Sequence, residues 1–295
     1  MTPRFTKISG IAFFLLFFGF TGPMLLADEY KDGKKAYELG ENDDALRLLV
    51  IKLRKDCDHQ DAIMLFKTVM PLVITKHQKA AQDYEAQKDW DKAFTEYEAI
   101  VHVSEMITSI TPMEQIKIDG KKVKKVLEIP TIDVRNQRQI VIDNAAEMHY
   151  QKGISFMNTI GSSGRAVGEF DAARKYVLNY KDARELSAEA LYRDAGNLLS
   201  KNDYKSAVYK FRQAQEYIPG YKDAAIQADK AKQLAMRRIA IMPFTNLSGK
   251  TQFGEVGQIL ADRTISESIQ QQPEFLEFVT REYVDQLVQE QALGQ

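Results

Sequence analysis

Cysteine occurs once in the 295 residues, at Cys57, which excludes an internal disulfide and any cysteine-rich zinc or iron–sulfur site. Proline (8) and glycine (16) are sparse, which favours long helices over an all-β chain. The four histidines, His59, His77, His102 and His149, contain no pair at metal-ligand spacing. His77 and His102 fall in different helices of one hairpin; surface or groove positions are the reading adopted for all four. A charge excess of one sign is missing too. The 40 basic and 41 acidic side chains leave no surplus with which to displace phosphate counterions, so no nucleic-acid partner is expected. What is present is 44% apolar and 27% charged, which rules out a wholly disordered chain. The length supplies the core of one large or two modest domains.

The first segment is an address. Arg4 and Lys7 form a positive start, residues 11–20 read IAFFLLFFGF, and Gly22 and Pro23 break that apolar run. Ala27 then offers a small residue before Asp28 and Glu29, the pattern of a cleaved signal peptide. Export with cleavage is the expectation. An N-terminal anchor is the competing reading, because residues 8–27 are nearly long enough to span a bilayer. No cysteine lies near Ala27, so lipoprotein processing is not available. An exported chain with one thiol suits a bacterial periplasm or outer-membrane periphery better than disulfide-stapled secretion.

From residue 29 to about 237 the pattern is helical, and it recurs. Four segments set a turn residue three positions before an alanine: Asn42 and Ala45, Trp90 and Ala93, Phe170 and Ala173, Tyr204 and Ala207. Four residues after each alanine come Leu49, Tyr97, Val177 and Phe211, on the same helix face. The small residue lets two helices approach closely, and the large one fills the gap beside it. The fullest copy runs through Leu191, Ala195, Leu198, Ala207, Phe211, Ala214 and Pro219. This pattern resembles the tetratricopeptide repeat, which implies helix hairpins stacked into an α-solenoid with a concave groove. The copy from near His77 fits through Ala81, Tyr84, Ala93 and Tyr97, and departs at Glu105, where the family's proline belongs. The unit at 36–66 has Asn42 in place of an aromatic, and residues 161–164 are expected as an insertion in the copy around Ala173. Tyr180-Lys181-Asp182-Ala183 recurs 41 residues on as Tyr221-Lys222-Asp223-Ala224, at a helix start each time. Between the helical halves, residues 108–132 hold Pro112, Pro130 and a hairpin signal at Asp119-Gly120.

After Arg237 the grammar changes. Residues 238–244 read as a buried strand, 253–270 as an amphipathic helix with Val256, Ile259, Leu260, Ile265 and Ile269 on its inner face, 275–279 as a second strand and 281–293 as a second helix. Two strands with two helices bury too little to stand alone, so the domain is expected to continue beyond residue 295 or to borrow a partner. The strand Ile239-Ala240-Ile241-Met242-Pro243-Phe244 with Asn246-Leu247-Ser248-Gly249 resembles the opening of the curli assembly/transport component family, and is similar to the amino-terminal domain of the Tol-Pal translocation protein. Residues 257–262, Val279-Thr280-Arg281 and 285–291 continue that resemblance in order. It implies a domain at the outer membrane able to oligomerise as an export channel.

Other motifs are plainer. Gly249-Lys250-Thr251 follows a strand, yet Phe244 stands where a phosphate cradle needs its first glycine, and a polar loop is the reading. Residues 161–165 could hold a phosphate through amides and Arg165; an inter-helix insertion is the simpler account. Cys57 sits between Asp56 and Asp58, which disfavour a reactive thiolate. Lys121-Lys122-Val123-Lys124-Lys125 is the one dense basic run: a charged hairpin edge, with contact to a membrane surface or an acidic partner as the functional alternative.

The fold expected is mainly α: a tetratricopeptide-like α-solenoid followed by an incomplete α/β domain. The boundaries are a signal peptide at 1–27, helical repeats at 28–107, a hairpin-like excursion at 108–132, helical repeats at 133–237 and a partial α/β domain at 238–295. The function expected is a non-enzymatic cell-envelope protein that binds protein partners through the repeat groove, with the C-terminal domain for assembly or docking. No catalytic, cofactor-binding or metal residue is expected, and no cofactor. Partners would be envelope proteins, a second copy through the C-terminal domain, and the outer membrane peripherally. Two alternatives stand: a component of a curli-type secretion assembly, and a regulator of a peptidoglycan synthase, since activator lipoproteins of those synthases resemble the same α/β domain.

Overall fold

The structure, a computed structural model, describes residues 28–242, 244, 245, 247, 254–271 and 273–279. The leader expected at 1–27, the Gly249-Lys250-Thr251 loop and the helix expected at 281–293 lie outside the described residues. The chain divides between residues 135 and 136 into two compact units. The first holds α1 (Glu29–Glu38), α2 (Asn42–Lys55), α3 (Gln60–Ala86), α4 (Trp90–Thr108) and an antiparallel hairpin of β1 (Met113–Ile118) and β2 (Lys121–Val126). The second holds α5 (Arg135–Met157), α6 (Ser163–Tyr176), α7 (Ala183–Ser200), α8 (Tyr204–Tyr217), α9 (Ala224–Ala235), β3 (Arg237–Ile239), α10 (Val256–Gln270) and β4 (Leu276–Phe278). The fold is mainly α. From α1 to α4 and from α5 to α9 successive helices pack on one another, the stacking of a helical-repeat array. Among the described residues no helix is long and apolar enough to cross a membrane.

One turn builds the helix hairpins. Two residues before α2, α4, α6 and α8 stands a left-handed residue: Gly40 (φ 79°), Lys88 (φ 58°), Gly161 (φ 77°) and Asn202 (φ 61°). In three of these turns the next residue closes one helix and opens the other. The amides of Glu41, Asp89 and Asp203 donate to the carbonyls of Ala36, Tyr84 and Leu198 at 2.9 Å, the six-to-one bond of a Schellman closure. The carboxylates of Asp89 and Asp203 then accept from the amides of Lys92 (3.4 Å) and Ser206 (3.3 Å), capping the new helix. This fixes the phase of the second helix. Three residues into it stand Ala45, Ala93, Ala166 and Ala207, each 0% exposed, and four further on Leu49, Tyr97, Phe170 and Phe211, all buried.

The third copy therefore runs through Ser163, Ala166 and Phe170, two helical turns earlier than the Phe170, Ala173 and Val177 expected. Phe170 imitates the aromatic that opens α4 and α8, but the helix opens at the buried Ser163. Val177 lies past the end of α6 as its half-buried C-cap. Residues 161–164 are thus no insertion. Gly161 is the left-handed residue of the turn, Ser162 the cap, and Ser163 and Gly164 begin α6. In the first unit, α3 runs for 27 residues through Pro71, so the units expected at 36–66 and from His77 share one helix. Pro71 has no amide proton, which leaves the Lys67 carbonyl without its ordinary helical partner.

Gly153 of α5 marks a close approach between α5 and α6. A Cβ there would lie 2.6 Å from the Phe170 ring. Helix propensity favours alanine over glycine by about 1 kcal/mol, yet Phe170 is fully buried and has no room to retreat. Gly153→Ala is expected to lower stability by about 1–3 kcal/mol, read from the denaturant midpoint; a raised midpoint would contradict this packing.

The C-terminal elements differ from expectation. β3 spans three residues rather than seven and pairs in parallel with β4, Arg237 opposite Leu276 and Ile239 opposite Phe278. The face of α10 read as inner is mostly outward: Val256, Ile259, Leu260 and Ile269 are exposed, Ile265 is half-buried, and only Ala261 is buried. The apolar period is real, but the two short strands offer that helix no sheet to cover. The attachment to the repeats is made instead by Phe275, which is buried against the cluster of Ala207, Phe211 and Ala231, edge-on to Tyr209 at 5.8 Å. Glu274 accepts from Arg212 and, at 3.3 Å, from Tyr209.

Candidate protein-binding surface

In the first unit, α1 and α3 bound an open groove of about 280 Å³. Tyr30, Lys34, Tyr37 and Glu38 line it from α1, and Asp61, Met64, Leu65 and Thr68 from α3. Each set follows the three-and-four spacing that keeps side chains on one helix face. Beside that face, Gly33 of α1 meets α2: a Cβ there would lie 3.3 Å from Leu48 Cβ, so the glycine lets α1 sit close to α2. Asp28 caps α1 by accepting from Lys31, and the His59 ring caps α3 by accepting from the Ala62 amide at 3.2 Å while tilting against Tyr30 at 5.0 Å. The floor is apolar and the rim carries both signs of charge. Met64 is 67% exposed, an unusual outlay of a large flexible apolar side chain. No single residue of this groove stands out in the sequence; the repeated spacing on two neighbouring helices is the signal that finds it.

The second unit contains one interaction set built twice. Glu147 and Tyr150 of α5 face Tyr180, Lys181 and Asp182; 41 or 42 residues on, Glu189 and Tyr192 of α7 face Tyr221, Lys222 and Asp223. In the first set the Tyr150 hydroxyl donates to Asp182 at 2.6 Å, and Tyr180 and Lys181 donate to Glu147 at 2.5 Å. In the second, Tyr192 donates to Asp223 at 2.5 Å, and Tyr221 and Lys222 donate to Glu189 at 2.6 and 2.5 Å. Lys181 lies over the rings of Tyr150 (4.7 Å) and Tyr180 (5.2 Å), and Lys222 over those of Tyr192 (4.8 Å) and Tyr221 (5.2 Å). Both lysines are left-handed, φ 44° and 45°, a strain accepted at the same place in each copy. The recurrent Tyr-Lys-Asp-Ala is therefore a clamp. It ties each helix start to the first helix of the preceding hairpin.

These contacts shift both glutamates and the phenols that donate to the carboxylates. Hydrogen bonds from Lys181, Tyr180 and Gln151 hold Glu147 down to about 2. Burial works to raise Glu189, and hydrogen bonds from Lys222 and Tyr221 outweigh it and leave the carboxyl lowered. Tyr150, donating to Asp182, is pushed up to about 12. A carboxylate depressed in the folded state stabilises the fold above its ordinary value and loses that contribution as pH falls through the folded one. The Glu147 contribution is therefore present above about pH 4.5 and fades towards about pH 2. Its side chain is 40% exposed, so solvent screens the effect. Between pH 7 and pH 3, about half a unit either way, the parent's melting temperature is expected to fall by more than that of Glu147→Gln; equal falls would contradict the clamp.

The remaining sequence candidates are dispersed. His77 sits between two carboxylates, Nδ1 2.6 Å from Glu96 and Nε2 2.8 Å from Asp43, joining α2, α3 and α4. Both contacts are hydrogen bonds only when the ring carries both protons. His102 is exposed on α4 and shares no site with His77. His149 contacts Glu169 at 2.6 Å and stacks on Tyr176. Cys57 is exposed. Among the described residues no His, Cys, Asp and Glu cluster of metal-holding size occurs. At the 161–165 turn, Ser163 donates to Asp194 at 2.5 Å and Arg165 lies over the Phe156 ring at 5.8 Å. A carboxylate thus occupies the place that a phosphate would need.

No protein-family model matches the chain, and no curated protein matches it. Among solved structures it is similar to the TPR domain of P58(IPK), with 16% identity and a TM-score of 0.18 over 70% of this chain; the match spans 45% of that chain. It is also similar to TTC0263, a thermophilic TPR protein of Thermus thermophilus, with 16% identity and a TM-score of 0.18 over 69% of this chain and 96% of that one. Scores of this size carry no argument. The repeat assignment stands on the shared turns and the buried alanines.

Proposed function

We propose that the chain is a non-enzymatic cell-envelope protein that holds a protein partner in the α1/α3 groove, with residues 238–295 as an assembly or docking segment. The groove carries this reading. An apolar floor of Tyr30, Tyr37, Met64 and Leu65 with a rim of Lys34, Glu38 and Asp61 suits a helix or extended segment with one apolar face and mixed charges. The leader pattern at 1–27 supports export, and the curli-type resemblance of 238–295 supports assembly at the envelope. Exposed Phe244, Ile259 and Leu260 near the C-terminal end favour a second reading of that segment, self-association. A photo-reactive residue at Met64, compared with one at the exposed Arg47 of α2, tests the groove in cells. A discrete adduct from Met64 and none from Arg47 is expected; equal labelling, or none at Met64, would contradict it.

A further inference from the structure

The β1–β2 hairpin is the basic exception in a chain whose net charge is −1. Residues 113–126 hold five lysines against Glu114 and Asp119, an excess of three positive charges. Its base is fixed. The Met113 amide donates to Cys57 O at 2.6 Å, Gln60 brackets Met113 and Gln115, the Leu127 amide donates to Pro112 O, and Lys67 pairs with Glu114 at 3.0 Å. Lys124 pairs with Asp58 and Lys125 with Glu128. Beyond that base the strands project: every residue from 117 to 126 is exposed. The turn is Asp119 (φ 48°) and Gly120 (φ 79°), two left-handed residues in succession, which matches the twist of the strands and makes the tip a defined shape.

The register shows how that tip is furnished. Ile116 lies opposite Val123 and Ile118 opposite Lys121, so Ile118, Val123 and Lys121 share one face; Lys117 lies opposite Lys122 on the other. Ile118 and Val123 are 49% and 42% exposed. Among the described residues no carboxylate forms an ion pair with Lys117, Lys121 or Lys122. The tip therefore presents apolar side chains with unpaired ammonium groups on both faces. Ile118 and Val123 lie beside the turn with ammonium groups flanking them on both faces, and residues 117–123 hold three lysines against the single acid Asp119, a combination of apolar contact and positive charge that suits an anionic surface.

We propose that residues 117–123 dock on an anionic phospholipid bilayer, Ile118 and Val123 entering the headgroup layer while Lys117, Lys121 and Lys122 meet lipid phosphates. This goes beyond the groove reading and does not depend on it. The test uses the chain from Asp28 onward, which lacks the apolar run at 11–20 that would itself bind lipid. Every buried apolar residue described lies at Ala36 or later, so that chain retains the whole described core. It should co-sediment with mixed phosphatidylglycerol–phosphatidylcholine vesicles and not with phosphatidylcholine alone, and raised salt should release it. At about fivefold per lysine, changing Lys117, Lys121 and Lys122 to Gln should weaken binding roughly 100-fold. Ile118→Ser with Val123→Ser should weaken it about tenfold or more. Circular dichroism of both variants should match the parent, because these side chains are exposed. Absence of binding to the mixed vesicles, or full binding by either variant, would overturn the proposal. So would binding to polyglutamate as tight as to the vesicles and indifferent to the serine changes, which would assign the tip to an acidic polypeptide.

Discussion

Phe170→Ala is expected to destabilise the second unit by about 3–5 kcal/mol. Phe170 is fully buried, 5.9 Å from the Tyr150 ring, and it fills the recess left by Gly153. A glycine has no side chain with which to close the cavity, so little relaxation is available. Val177→Ala, four residues past Ala173 but half-buried beyond the end of α6, should cost about 1 kcal/mol or less. Denaturant midpoints of the two variants give the ranking. A larger loss at Val177 than at Phe170 would restore the phase that the sequence first suggests.

Ala207→Trp is expected to act through the opposite fault. Ala207 is fully buried in the cluster that holds Ala195, Phe211, Ala224 and Phe275. An indole there must push α8 away from α7 and dislodge Phe275, at a cost of about 3 kcal/mol. Because Phe275 joins the C-terminal elements to the repeats, protease cleavage between residues 240 and 279 should quicken in the same variant. An unchanged melting temperature would place Ala207 on a solvent face and remove the shared phase of the four hairpins.

The helical character, the hairpin at Asp119-Gly120 and three of the four alanine positions were legible because each depends on local chemistry: period, a left-handed turn, a small residue at a close approach. The third copy was misread for a physical reason. An aromatic opens α4 and α8, but in α6 the aromatic is core, and only the turn geometry at Gly161 tells the two apart. The face of α10 was misread because an apolar period says that a face wants cover, not that neighbouring elements supply it, and among the described residues none does. Tyr-Lys-Asp-Ala was visible as a recurrence, yet its role depended on Glu147, Tyr150, Glu189 and Tyr192, which lie some thirty residues upstream, about the length of one helix hairpin. The groove was the least legible feature, since Tyr30, Tyr37 and Met64 acquire meaning only when α1 and α3 lie side by side.

One two-helix unit is used twice with the same clamp. Double-mutant cycles on the full chain test this, pairing Tyr150→Phe with Asp182→Ala and Tyr192→Phe with Asp223→Ala. A hydroxyl donating to a carboxylate should give a coupling of about 1–3 kcal/mol, and the two cycles should agree within about 0.5 kcal/mol. Additive single changes in either cycle, or coupling in one and none in the other, would contradict the repeated clamp.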